Sequence, residues 1–130
     1  MSDYQVFFDE GRAFHKAARG SIRRPEVFTP EIVQNIAAMA IEKYFMAIFL
    51  KRGRLPLNHT ASDFLMEAKL FLPVSEELEN TLLYMDQLQQ LCSMETFKIT
   101  PPDKNDVFRF LKAADETAAM AEREIFTCDG

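Results

Sequence analysis

The sequence predicts an all-α fold: an up-and-down helical bundle of four main helices plus one short extra helix. Three observations carry this. No segment alternates apolar and polar residues with period two, whereas several stretches repeat apolar residues at helical spacing. Start and stop residues flank those stretches. Gly is scarce, at 4 of 130 residues, which argues against a loop-rich or all-β architecture.

The first segment, from about Asp3 to Arg19, places Tyr4, Phe7, Phe8, Phe14 and Ala18 near one helical stripe, and Gly20 can stop it. Those aromatics read as core, although Arg12 and Lys16 lie among them. The second helix starts on Thr29 as N-cap, Pro30 at the first helical position and Glu31 in the first turn. It should run to Arg52, with Gly53 as its stop. Between Ile32 and Leu50 it is apolar on nearly every side, which marks a central helix surrounded by partners, some of which can belong to a second subunit.

Pro56 enforces a turn. Thr60 followed by Asp63 reads as a capped start for a short helix through about Leu72, ended by Pro73. Ser75 caps a fourth helix with the acidic first turn Glu76, Glu77 and Glu79, as the helix dipole prefers. Its stripe is Leu78, Leu82, Met85, Leu88 and Leu91. The segment with Pro101 and Pro102 is a connection. In the last helix, from about Asp103 to Phe126, Val107, Leu111, Ala114, Ala118, Ala121 and Ile125 form an a/d seam whose alanines permit close approach.

At 130 residues the chain is a single helical domain, residues 1–130, with 126–130 read as a frayed tail. Hydrophobic residues at 48% and charged residues at 27% suit a globular core rather than disorder. The first segment has acids where a secretion signal has bases, and the most apolar stretch, Ile36 to Leu50, contains Glu42 and Lys43 and is short for a bilayer. These features point to a soluble, cytoplasmic protein without a membrane partner. Cys92 and Cys128 have no metal-site or CxxC spacing, so a reduced pair is the simpler reading.

The net charge of −5 argues against a general nucleic-acid binder. The charge is uneven, however: residues 1–54 hold nine Lys/Arg against six Asp/Glu, and the remainder six against fourteen. The cations gather as Arg12, Lys16, Arg19, Arg23 and Arg24, and again as Lys51, Arg52 and Arg54. Such runs are ordinarily solvated surface; the alternative is a phosphate-binding face in the N-terminal half.

The usual catalytic motifs are missing. There is no P-loop, dinucleotide fingerprint, paired-histidine helix or nucleophile elbow. With only His15 and His59, no multi-histidine metal site forms from one chain, and neither a metal nor a cofactor is expected. Two polar features stand out. Glu42 and Lys43, adjacent on the central helix, point about 100° apart. They are either snorkelling and paired with a neighbouring helix or a polar patch at a groove or dimer seam. Arg54 and His59, in the turn before the third helix, combine a phosphate-binding group with a proton-transfer group. A histidine just before a helix is more often a cap or packing residue.

The run Ala37-Ala38-Met39-Ala40-Ile41-Glu42-Lys43-Tyr44-Phe45-Met46-Ala47 resembles the central helix of the HEPN family of small helical bundles. His59 before the third helix resembles that family's next motif, and Ala113-Ala114-Asp115-Glu116-Thr117-Ala118-Ala119 resembles its alanine-rich last helix. The likeness covers about residues 27–125. Thr60 stands where the family's aspartate is usual, and Phe45-Met46-Ala47 lacks its second lysine.

The resemblance implies three roles. Some members are metal-independent RNases of toxin–antitoxin systems, with an arginine and a following histidine assembled across a homodimer. Others partner a small nucleotidyltransferase, and others bind nucleotides or act as adaptors. Arg54 and His59 match the RNase spacing, but Pro56 lies between them and the pair precedes the third helix. The sequence reading is therefore a non-catalytic, homodimeric binding or partner module associated with nucleotides or nucleic acid. Its candidate ligand groups are Arg54, His59, Lys51 and Arg52, and Glu42 and Lys43 are its polar core or interface. The alternatives are an RNase using Arg54 and His59, or a purely structural oligomerisation module.

Overall fold

The computed structural model describes residues 3–54, 60–92 and 102–126. Its elements are α1 (Asp3–Gly20), a 3-10 turn (Ser21–Arg23), α2 (Pro30–Lys51), α3 (Ala61–Ala68), α4 (Glu76–Cys92) and α5 (Lys104–Phe126). There is no strand among the described residues.

Local chemistry sets the helix ends. Thr29 accepts the Ile32 N–H at 3.3 Å, so the side chain satisfies a donor with no intrahelical partner. At the other end of α2, the Arg54 N–H donates to the Phe49 carbonyl at 2.8 Å and the Gly53 N–H to Leu50 at 3.1 Å. This closing motif needs a left-handed residue, and Gly53 supplies it with φ 71°. Thr60 accepts the Asp63 N–H at 3.1 Å and donates to the Asp63 carboxylate at 2.6 Å. Asp86 on α4 adds a long-range cap, accepting the N–H groups of Ala61 and Ser62 at 3.1 and 2.6 Å. Ser75 caps α4 by accepting the Leu78 N–H at 3.0 Å. Asp103 and Asp106 exchange bonds of 3.0 Å at the start of α5.

The short helix ends earlier than its sequence suggests. It stops at Ala68, and Lys69 to Leu72 continue as turns, with the Leu72 N–H on the Ala68 carbonyl at 2.8 Å. Pro73 disfavours helical backbone at Leu72 before it, and the chain unwinds ahead of that residue.

Cross-chain contacts give the helix directions. Lys51 lies over Tyr4 while His15 meets Tyr44, so α1 and α2 are antiparallel. Ser75 bonds Glu116 and Tyr84 bonds Asp106, so α4 and α5 are antiparallel. Phe8 packs on Phe126 and His15 meets Asp115, so α5 opposes α1. The four long helices therefore run up, down, up, down, with α3 as the short extra element.

α2 packs against α1, α3 and α5, which explains its all-round apolarity. At 22 residues it is long and apolar enough to cross a bilayer, so taking its apolar stretch as only Ile36–Leu50 understates it. Of its most apolar window, 61% is buried inside this chain. Phe45, Phe49 and Phe64 stack with centroids 5.7 to 6.1 Å apart and join α2 to α3. The α5 seam is covered as well: Leu111, Ala114, Ala118, Ala121 and Ile125 are buried. Its main partner is α2 of the same chain, so the seam supplies core. Buried Thr117 satisfies its hydroxyl by donating to the Ala113 carbonyl at 2.8 Å.

α1 and α2 approach closely at one point. A Cβ on Gly11 would lie 2.9 Å from Tyr44 Cδ1 and 3.0 Å from Cε1. The missing side chain lets one edge of the Tyr44 ring lie against α1, and this contact helps fix where the tyrosine hydroxyl ends up.

Candidate cationic pocket on the first helix

Arg12, Lys16, Arg19 and Arg23 follow steps of four, three and four residues. That spacing keeps them on one face of α1 and its continuing turn, over about 16 Å at 1.5 Å per residue. The flanking face carries Phe8, Gly11 and Ala18, which are buried, and the four cations lie exposed beside it. Together with His15, Gly20, Tyr44 and Glu122 they line a cavity of about 640 Å³. A smaller cavity of about 260 Å³ shares Arg12 and Lys16 and adds Asp9 and Ala13.

A side-chain network forms the inner wall. His15 Nε2 lies 2.6 Å from Asp115 Oδ1, and His15 Nδ1 lies 3.2 Å from the Tyr44 hydroxyl. Arg19 grips the same carboxylate bidentately, with Nε donating to Oδ1 at 3.1 Å and Nη2 to Oδ2 at 2.5 Å. Burial pushes the Tyr44 phenol up to about 12; Glu122 adds to this, Arg12 opposes it and Asp115 contributes least. Tyr44 is thus a neutral hydroxyl at any physiological pH. Set against four cations are two carboxylates, Glu122 in the lining and Asp115 behind it, the latter already held by Arg19 and His15. A chain of net charge −5 gathers positive charge at this place.

The other sequence-predicted candidates lie elsewhere. Lys51, Arg52 and Arg54 cluster at and just past the C-terminus of α2, by the Tyr4 end of α1. Lys51 sits over the Tyr4 ring at 4.9 Å. Arg52 pairs with Glu124 at 2.6 Å and lies 4.5 Å over Phe71. Arg54 is exposed and lies 5.1 Å over the same ring. His59, with Cys128, lies outside the described residues.

Glu42 and Lys43 do not share a patch. Lys43 pairs with Glu10 at 2.8 Å and covers Phe7, snorkelling along α1. Glu42 instead lines a cavity of about 510 Å³ between α2, α3 and α4. That cavity is walled largely by Ala38, Met39, Ile41, Phe64, Leu82 and Met85, and its Asp86 already caps α3. The cationic pocket is the better candidate because its charged groups converge without an equal number of opposing charges. Arg24, read with the same cation run, sits outside the lining and reaches Glu26 at 3.8 Å.

His15, Tyr44 and Asp115 carry no sequence signal as a group. His15 and Asp115 are 100 positions apart, and only the fold brings them together. The cation stripe, by contrast, is visible in the spacing alone.

No family model and no curated protein matches this sequence. The structure is similar to the crystal structure of TT1696 from Thermus thermophilus, with a TM-score of 0.75 at 17% identity. The match spans 96% of this chain and 100% of that one, and at this identity it establishes the shared helical bundle alone.

Proposed function

We propose that this protein is a non-catalytic binding module whose ligand carries phosphate groups, as a nucleotide or a nucleic acid, and that the α1 pocket holds them. The supporting observation is the convergence of Arg12, Lys16, Arg19 and Arg23 on one cavity, where Glu122 and the Arg19-bound Asp115 leave cations in excess. Arg and Lys at this density attract phosphate oxygens, and association steered by charge weakens with salt. The HEPN resemblance is consistent with this reading. It adds a cytoplasmic homodimer and a nucleotidyltransferase partner to the proposal. With the α5 seam occupied, a contact between copies would use the α2 and α4 surface, where Ile32, Met39 and Leu83 are exposed.

The RNase alternative requires Arg54 and His59 in one cleft. Arg54 lies over Phe71, and no observation favours that reading over binding.

The test is fluorescence anisotropy with a labelled thymidine oligonucleotide, and with ATP as competitor. Arg12→Glu combined with Lys16→Glu should weaken oligonucleotide binding at least about tenfold, or 1.4 kcal/mol, and flatten its salt dependence. Reversing Lys51 and Arg54 should change it far less. Loss of binding only in the second pair would move the site to the end of α2. Metal-free cleavage of the oligonucleotide's RNA counterpart would make the protein an enzyme.

A further inference from the structure

Both ring nitrogens of His15 are engaged, so the proton count of the ring decides what the Tyr44 hydroxyl presents to an anion in the pocket. Nε2 faces the Asp115 carboxylate, which can only accept, so Nε2 carries a proton. In the neutral ring Nδ1 then holds a lone pair, and the Tyr44 hydroxyl donates its proton to it. The phenol oxygen, with its lone pairs, is what remains for the cavity, and it repels an anion. When the ring takes up a second proton, Nδ1–H becomes the donor to Tyr44 oxygen. The tyrosine proton is displaced from that bond and becomes available to a ligand oxygen.

We propose that His15 and Tyr44 form a proton-operated gate for the oxyanion site, so that ligand binding and protonation of His15 favour each other. This rests on the phosphate-binding reading of the pocket. Protonation does two things at once: it adds a positive charge to the wall and turns Tyr44 from an acceptor into a donor. It also completes the neutralisation of Asp115, which loosens that carboxylate's hold on Arg19.

The groups that set the balance come from every neighbouring element. Arg12, Lys16 and Arg19 on α1 and Arg23 on the following turn oppose a charged imidazole. Asp115 and Glu122 on α5 favour it, and Tyr44 on α2 responds to it. A bound polyanion screens the four cations from the ring. It therefore favours the imidazolium, which is the linkage in molecular terms. The high phenol pKa supports the same picture, because Tyr44 keeps a proton to donate in both states.

The experiment measures the affinity of the full chain for a thymidine oligonucleotide, whose phosphodiester charge stays fixed, from about pH 8 to about pH 5, the range in which histidines change charge. Wild-type affinity should rise at least about fivefold as pH falls, the lower end of ordinary coupling between sites. His15→Gln should remove the rise, leaving an affinity that does not change with pH across this range. Tyr44→Phe should keep a shallower rise, from charge alone. NMR of the wild-type imidazole provides a reading that needs no variant: with oligonucleotide bound, His15 should hold its proton to higher pH. Binding that ignores pH, or a ring titration unmoved by ligand, overturns the gate and leaves the phosphate site standing. No binding at any pH overturns the phosphate site and the gate together.

Discussion

Phe45→Ala is expected to cost about 3–5 kcal/mol of folding stability, the usual range for removing a large buried aromatic ring. Phe45 is fully buried and stacks at 6.1 Å on Phe49 and at 5.7 Å on Phe64. The lost ring would leave both neighbours without a partner on one side. Because Phe64 belongs to the eight-residue α3, which has little helical stability of its own, the defect should free that helix first. A domain of this size has about 5–15 kcal/mol in total, so the variant should sit near its unfolding threshold. Urea denaturation followed by circular dichroism measures it, with hydrogen exchange reporting α3 separately. A cost below about 1 kcal/mol would show that the stack is not the centre of the core.

Gly11→Ala is the second large effect, and its sign runs against helix propensity. In an exposed helix, replacing Gly by Ala stabilises by roughly 0.5–1 kcal/mol. Here the new methyl would meet the Tyr44 ring at 2.9 Å. The ring cannot swing aside cheaply, since it is 1% exposed and its hydroxyl is bonded to His15. Overpacking of this kind costs about 1–3 kcal/mol, so the net change should be a destabilisation of about 1–2 kcal/mol. The displaced tyrosine should also lengthen its bond to His15 and weaken the pH response of ligand binding. Adding Tyr44→Leu to Gly11→Ala should recover part of the stability, and a double-mutant cycle isolates that coupling. Stabilisation by Gly11→Ala alone would refute the close approach.

Much of this architecture is legible along the chain because its determinants are local. Thr29-Pro30, Thr60 with Asp63, Ser75 and Gly53 act on their own helix ends within a few residues, and each does so in the structure. The repeat from Val107 to Ile125 marks α5 for the same reason. What periodicity cannot specify is the partner of an apolar face. The alanine seam of α5 suits a second copy as well as it suits α2, and only the closed fold shows that α2 takes it. The end of α3 is misjudged because Leu70, Phe71 and Leu72 continue an apolar pattern while Pro73 acts backwards on their backbone.

The candidate site divides along the same line. Arg12, Lys16, Arg19 and Arg23 lie on one helix and its continuing turn, so their common face follows from spacing. The wall behind them does not. Asp115 and Tyr44 reach His15 from α5 and α2, and their residue types are unremarkable in their own helices. Glu42 and Lys43 show the converse: their angular separation is legible, but only packing sends one to α1 and leaves the other on the cavity beside α3 and α4.

The central claim is that the α1 pocket, and not the cation cluster at the end of α2, holds the phosphate groups. An NMR titration of the full chain with inorganic triphosphate tests it most directly, reading backbone amides and arginine side chains together. Binding in the α1 pocket predicts saturable shifts at Arg12, His15, Lys16, Arg19, Arg23 and Tyr44, with Lys51, Arg52 and Arg54 little changed. Shifts centred on Lys51 to Arg54, or none that saturate, would contradict it.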